Sequence, residues 1–337
     1  MKKIIKSLVF FFFLTTNIYS NYSCSKDILN SLSQDDIGKL LSVTRENCEK
    51  SRLFQNIKRN KSYPKFGSVE DWKSVCEKVS KNKVNERKFF NKNFKILFNN
   101  YPAGLLTGYY EPTIEVSFNK TSTFKFPILK KNKLYSKVPR EIIEKSYKKK
   151  DVLLWAKNKV DLFFLQVQGS GIGVLENGRK IKIIYSGNNG LKYSSIGRYL
   201  IQNEEIKASN VSLFTIKDWL NNNQSKSSKV MNYNKRFIFF DLKQDYTLEN
   251  PIGSFGTSLK PNLSIAVDND IYPIGIPFLI VHKDKGSIEV AISLDTGSAI
   301  KGTNRADLFT GNNLKSEKVA GELKKKIYLY PVIPYSK

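Results

Sequence analysis

From residue 105 onward the chain breaks into short runs of β-branched and aromatic residues divided by Gly, Asn and Pro, at 105–110, 113–118, 162–168 and 180–185, then at 236–241, 264–267, 278–281 and 288–294. Runs of this length and composition predict strands joined by turns. Helical patterns interrupt them only at 194–202 and 213–221. Without a regular β-α alternation a doubly wound nucleotide-binding sheet is disfavoured, and a mainly β or α+β architecture containing a barrel is expected. The opening differs. Ser33-Gln34-Asp35-Asp36 before Leu40, Leu41, Thr44 and Cys48 reads as a capped helix, and Ser68-Val69-Glu70-Asp71 before Trp72, Val75, Cys76 and Val79 reads as another. The stretches 145–151 and 221–229 read as surface connections.

With 337 residues and 40% hydrophobic content the chain can bury two packed units. Its N-terminus, Met1-Lys2-Lys3-Ile4-Ile5-Lys6 followed by a Phe-rich apolar run and then small polar residues to Ser20, has the layout of a secretory signal over 1–20. That run is too short to span a bilayer comfortably. Export to an oxidising space permits one disulfide among Cys24, Cys48 and Cys76, leaving one thiol over. Cys48 and Cys76, each on an amphipathic helix, could pair, although spacing does not fix connectivity. Cys24 stands where a lipid anchor to the outer membrane would be attached, but Asn21-Tyr22-Ser23 is a poor context for that modification. The formal charge of +26 attracts polyanions. The lysines are spread through every segment with no arginine-rich helix or zinc-finger spacing, so nucleic acid is not expected as a partner.

One histidine, His282, lies beside a charged turn and reads as a surface residue, which leaves Ser-His-Asp and Cys-His machinery without a base. Neither a metal site nor a cofactor is implied. Gly169-Ser170-Gly171-Ile172-Gly173 resembles a dinucleotide loop but lacks the gap before its third glycine, and Asn177-Gly178 after it predicts a hairpin turn. Carboxylates remain for acid-base work. The densest cluster runs from Asp295-Thr296-Gly297-Ser298 to Asn304-Arg305-Ala306-Asp307, where a loop carrying Gly297 and Gly302 can bring two aspartates to one rim. Both could instead serve structure, Asp295 by capping its turn and Asp307 by pairing with Arg305. Asp295-Thr296-Gly297 also matches the triplet of aspartic proteases, in which two aspartates share a proton. No other aspartate is followed by Thr-Gly or Ser-Gly, so that reading requires a homodimer.

Five blocks in order, Thr107-Gly108-Tyr109-Tyr110-Glu111-Pro112, Phe164-Leu165-Gln166-Val167-Gln168-Gly169-Ser170-Gly171, Tyr185-Ser186-Gly187-Asn188-Asn189-Gly190 with Tyr193 to Arg198, 264–277 and 295–311, resemble the signatures of the membrane-bound lytic murein transglycosylase A family with its C-terminal 3D domain. The resemblance implies a double-psi β-barrel built from 21–111 and 246–337, with a β-rich glycan-binding domain inserted at 112–245. A groove between the two would take a peptidoglycan glycan strand. The family's catalytic aspartate matches Asp307, with Asp295 in the same groove. Thr107, Tyr109, Tyr110, Glu111, Gln166, Gln168, Ser170, Tyr185, Asn189 and Lys301 fall in the matching blocks as substrate contacts. Departures from the family pattern stand at Glu111, where some relatives have Thr, and in the lysine-rich 312–326.

The implied reaction breaks the β-1,4 bond from N-acetylmuramic acid to N-acetylglucosamine and leaves a 1,6-anhydro end. One carboxyl can protonate the leaving oxygen and then deprotonate the sugar's C6 hydroxyl, which stands in for the second carboxylate of an ordinary glycosidase. Asp307 must begin protonated, with Leu308, Phe309 and Asp295 as candidates for raising its pKa. Tyr109, Tyr110, Tyr185 and Tyr193 offer flat faces to sugar rings. The expected protein is an exported, periplasmic, monomeric enzyme of cell-wall turnover; the alternatives are a dimeric aspartic protease and a non-catalytic glycan-binding module.

Overall fold

A computed structural model describes residues 28–81, 85–243 and 250–336. The proposed signal segment and Cys24 lie outside the described residues.

Strands β1 (Phe94–Ile96) and β2 (Gly104–Tyr109) precede the point where the chain leaves for a second sheet, made of β3 (Thr113–Ser117), β4 (Phe126–Leu129), β5 (Val152–Ala156), β6 (Gly171–Val174), β7 (Lys180–Asn188) and β8 (Ile238–Lys243). It then returns to supply β9 (Ser264–Val267), β10 (Pro277–His282), β11 (Ile288–Thr296), β12 (Arg305–Phe309) and β13 (Lys324–Pro334). Six of these close on themselves in the order β2-β12-β9-β11-β10-β13 and back to β2, with β1 added to β13. This is the six-stranded barrel expected of the fold class. Closure leaves no free edge on those strands. The second sheet is open, in the order β4-β5-β3-β6-β7-β8.

The barrel is filled by alternate residues of its strands, among them Leu106, Ile265, Val267, Phe278, Ile280, Ala291, Leu308 and Leu329, all buried. Helices Gln34–Cys48, Ser51–Arg59, Val69–Lys81 and Glu86–Asn93 extend the same core with Ile37, Leu40, Leu53, Trp72 and Phe90. Ser33 caps the first helix by accepting from the Asp36 amide, and Ser68 accepts from the Asp71 amide. A disulfide joins Cys48 to Cys76, the pairing that helix placement had allowed.

Two expectations fail in the inserted region. Residues 162–168, anticipated as a strand, lie in helix Lys159–Gln168, started by the Asn158 side chain accepting from the Val160 and Asp161 amides and ended by Gly169 at φ 92°. Its Leu162 and Leu165 pack on the sheet while Phe163 and Phe164 pack on a helical layer, so burial on both sides erased the 3.6-residue rhythm. The stretch 221–229, anticipated as a surface connection, runs into helix Gln224–Tyr233, which buries Val230 and Met231 in that layer. The 145–151 stretch ends helix Arg140–Ser146 and forms a short 3-10 turn, and the lysine-rich 312–326 forms helix Leu314–Glu322 and the start of β13. The Asn177-Gly178 hairpin forms between β6 and β7, with Gly178 at φ 78°.

Candidate active site

Strand pairing alone places four side chains in one row on the outer face of the barrel. Thr107 on β2 stands opposite Asp307 on β12, Asp307 opposite Ala266 on β9, and Ala266 opposite Asp295 on β11. Residues directly opposite share a face, so the two aspartates stand two strand spacings, roughly 10 Å, apart with only an alanine methyl between them. Ala306 and Leu308, on either side of Asp307, point into the barrel core.

Asp295 reaches this row through a bulge. Ser293 pairs with Ile265, but the next residue paired with Ala266 is Asp295, so Leu294 is skipped. In an unbroken ladder Leu294 would take that place and Asp295 would move to the other face. The carbonyl of Leu294 is satisfied by the Phe255 amide at 3.0 Å. Gly253 lies so close to that carbonyl that a Cβ would stand 2.4 Å from its oxygen. Asp295 is then held by four donors: the Ser254 amide and hydroxyl at 2.9 and 2.7 Å, its neighbour Thr296's amide at 2.9 Å, and the Tyr109 hydroxyl at 2.9 Å. Three of these donors come from Ser254 and Tyr109 on other segments, so Asp295 ties its strand to its neighbours where capping of its own turn was expected.

Asp307 has a sparser shell. It accepts a very short hydrogen bond from the Thr107 hydroxyl, whose oxygen in turn accepts from the Arg305 guanidinium at 2.8 Å. Burial holds its carboxyl above the usual carboxylate range, and the charge of Asp295 adds to that, while Arg305 and the Thr107 bond oppose it. Of the neighbours anticipated as causes, Asp295 acts; Leu308 faces the core, and Phe309, two residues along on the Asp307 face, packs against the Tyr109 ring at 5.4 Å. Burial, reinforced by Asp295, also pushes the Tyr109 hydroxyl well above its ordinary range, so it stays a proton donor in a hydrogen bond.

This row forms one wall of a cleft of about 820 Å³. The opposite wall comes from the inserted region: Gln168, Gly169 and Ser170 at the end of helix Lys159–Gln168, Ile184 and Tyr185 on β7, then Tyr193 and Arg236. Of the residues anticipated as substrate contacts, Thr107, Tyr109, Glu111, Gln166, Gln168, Ser170 and Tyr185 line this cleft together with both aspartates. Gln168 and Ser170 sit at the end of a helix where a strand was anticipated, and the Gln168 side chain accepts from the Tyr110 amide at 3.2 Å.

Other anticipated contacts are taken up by structure. Gln166 is buried, accepts a short bond from Arg140 and donates weakly to the Ile238 carbonyl at 3.5 Å. Glu111 is buried in an ion pair with Lys182 at 2.7 Å, and burial raises its pKa against that pairing. Tyr110, Asn189 and Lys301 do not line the cleft. The Tyr110 hydroxyl donates to Glu317 at 2.8 Å, Asn189 is buried among backbone groups, and Lys301 pairs with Asp268 and Asp270 at 2.8 Å each. His282 is no surface residue either; it is buried, with Nε2 2.8 Å from Glu289. Ser254, Ala266 and Arg236 carry no signal in the sequence, because the first two matter only through the bulge and the register.

The model of the MltA specific insert domain matches residues 105–241, and that of the 3D domain matches 263–332. The chain is 30% identical over 352 residues to the membrane-bound lytic murein transglycosylase A homolog of Buchnera aphidicola, covering 95% of this chain and 93% of that one. It is 32% identical over 234 residues to the membrane-bound lytic murein transglycosylase A of Vibrio cholerae, covering 65% and 62%. A crystal structure of a membrane-bound lytic murein transglycosylase from Agrobacterium tumefaciens superposes with a TM-score of 0.76 at 26% identity, over 89% of this chain and 94% of that one.

Proposed function

Because the chain belongs to the membrane-bound lytic murein transglycosylase A family and is a peptidoglycan-cleaving lyase, we propose that Asp307 alone serves its reaction, first as acid and then as base. The observation that supports this is its environment: a carboxyl held above the usual range, facing an open cleft, with one hydroxyl donor instead of the four that surround Asp295. Protonated Asp307 gives its proton to the glycosidic oxygen as the bond from muramic acid C1 to that oxygen breaks. The carboxylate left behind faces the oxocarbenium-like sugar and takes the proton of its C6 hydroxyl as O6 bonds to C1. The proton is returned, no water is consumed, and a 1,6-anhydro end results.

Asp295, fixed by Ser254, Thr296 and Tyr109, contributes negative charge along the same wall and helps keep Asp307 protonated before cleavage. We assign the barrel segments 21–111 and 246–337 to catalysis and 112–245 to holding the glycan. The protein is read as a monomer, exported to the periplasm, with attachment to the outer membrane through Cys24 as the variable element; no described helix is long and apolar enough to cross a membrane. Labelled palmitate incorporated by the wild type and lost in Cys24→Ala would establish that anchor. Digestion of purified peptidoglycan tests the reaction, with anhydro-muropeptides expected by mass spectrometry. Reducing-end products would contradict the mechanism, and pepstatin-sensitive peptide cleavage would favour the dimeric protease.

A further inference from the structure

One cation in the cleft has no use in the chemistry above. Arg305 is engaged with Thr107 beside Asp307, and Lys182 is paired with Glu111. Arg52, on the barrel side, is exposed, so water screens it. Arg236 is different: it is half-buried in the wall formed by the inserted region, and among the described residues no carboxylate lies within ion-pair distance of it. Among the described residues its one side-chain hydrogen bond, from Nη1 to the Leu191 carbonyl at 2.9 Å, leaves most of a five-donor fork unused. Burial lowers its pKa, and among the described residues no carboxylate offsets that cost.

The backbone that presents it is clamped by buried polar side chains. Arg140, itself buried and stacked against the Phe163 and Phe237 rings, donates to the Asn234 carbonyl at 3.0 Å and the Arg236 carbonyl at 2.8 Å. Asn189 donates to the Lys235 carbonyl at 2.9 Å and accepts from the Phe237 amide at 3.0 Å. Asn234 accepts from the Arg236 amide at 3.3 Å and from the Ser194 amide at 3.2 Å. Three buried side chains thus fix one short segment, and the residue at its centre presents a half-buried charge to the cleft. Tyr185, 49% exposed, stands close enough to Arg236 to interact with its charge.

We propose that Arg236 is a specificity residue that binds a carboxylate carried on the lactyl arm of muramic acid. The inference rests on the peptidoglycan reading of this cleft and deepens it. The glycan rings themselves are neutral, so the anions that a peptidoglycan strand can bring are the carboxylates of its peptide stems or, where a stem is absent, the lactyl carboxylate. A guanidinium fork matches either. Asn189 and Arg140 act through the segment they hold and are positioning residues.

Arg236→Gln and Arg236→Lys are compared with the wild type on three substrates: stem-bearing glycan strands, the same strands stripped of peptide by an amidase, and a chitooligosaccharide that has no carboxylate, read by binding. Losing a charge-assisted hydrogen bond should raise KM of Arg236→Gln about tenfold or more on a carboxylate-bearing substrate, with kcat little changed and chitooligosaccharide affinity unaltered. Arg236→Lys should recover part of the loss. A penalty confined to stem-bearing strands assigns the anion to the peptide, one confined to stripped strands assigns it to the lactyl carboxylate, and one on both means that the fork accepts either. Equal losses on the neutral oligosaccharide, or no loss on any substrate in a variant with wild-type melting behaviour, would overturn the proposal. Anhydro-muropeptide release by the wild type is scored separately, so failure of the reaction assignment is distinguishable from failure of this one.

Discussion

The two walls of the cleft are built by different means. On the barrel wall, Thr107, Asp307, Ala266 and Asp295 are placed by backbone pairing between adjacent strands, with one bulge at Leu294 to bring the last of them into line. On the inserted wall, the presenting segments are irregular and are held by side chains: Asn189, Asn234 and Arg140 bond the backbone around Arg236. Register is shared among many ladder bonds, so the barrel wall tolerates loss of any one side chain. A clamp made of single side chains does not.

The largest expected effect lies on the barrel wall. Asp307→Asn keeps the shape of the side chain but removes the transferable proton, so turnover should fall by about two to four orders of magnitude in a variant that folds normally. Stability should move the other way. A carboxyl whose folded-state pKa is raised binds more protons folded than unfolded, so it destabilises the fold above that pKa and not below the ordinary one. Asp307→Asn should therefore melt higher than the wild type at neutral pH, with the gain fading as the pH falls through the carboxylate range; a lower melting temperature at pH 7 would remove the inference of a raised pKa.

Next comes the space between the aspartates. Ala266→Leu would put a branched side chain into the row, and a glycosidic bond displaced by even about 1 Å from Asp307 should react roughly a hundredfold more slowly. Circular dichroism and kinetics on the same sample separate misplacement from misfolding. The inserted wall should show the opposite pattern. Asn189→Ala leaves the Val138 and Lys235 carbonyls and the Phe237 and Leu191 amides without their partner, and should cost about 2–4 kcal/mol of stability in urea unfolding while raising KM more than it lowers kcat. An unchanged unfolding midpoint would mean that the segment holds itself. The smallest effect is expected of Tyr109→Phe, which takes one donor of four from Asp295 and should reduce kcat by about tenfold or less.

The same contrast explains what could be read from the sequence. Barrel strands were legible as short β-branched and aromatic runs divided by Gly, Asn and Pro, even where β9, β10 and β11 are buried on both faces, and the Asp295 to Asp307 cluster was legible as two carboxylates around a glycine-rich loop. The bulge that gives Asp295 its orientation leaves no trace in residue types: Ser293-Leu294-Asp295 reads as plain alternation, and only the partner strand shows that Leu294 is passed over. In the inserted region, helix Lys159–Gln168 was hidden by being packed on two sides. Asn189, Gln166 and Tyr110 were anticipated as substrate contacts because polar residues that hold a wall and polar residues that face a ligand are the same residues in a one-dimensional string. Depth alone tells them apart: Asn189 is 1% exposed and Gln166 4%. The exchange runs in the other direction for Arg236, which looked like one more charge in a basic chain.

The most direct test of Asp307 as the proton donor is the pH dependence of kcat/KM for the wild type beside Asp295→Asn. If Asp307 is the acid, activity falls as the pH rises through its raised pKa, and the falling limb persists in Asp295→Asn, moved to lower pH because a neighbouring negative charge has been taken away. If the falling limb instead disappears in a folded Asp295→Asn, the donated proton belongs to Asp295 and the assignment of Asp307 is wrong.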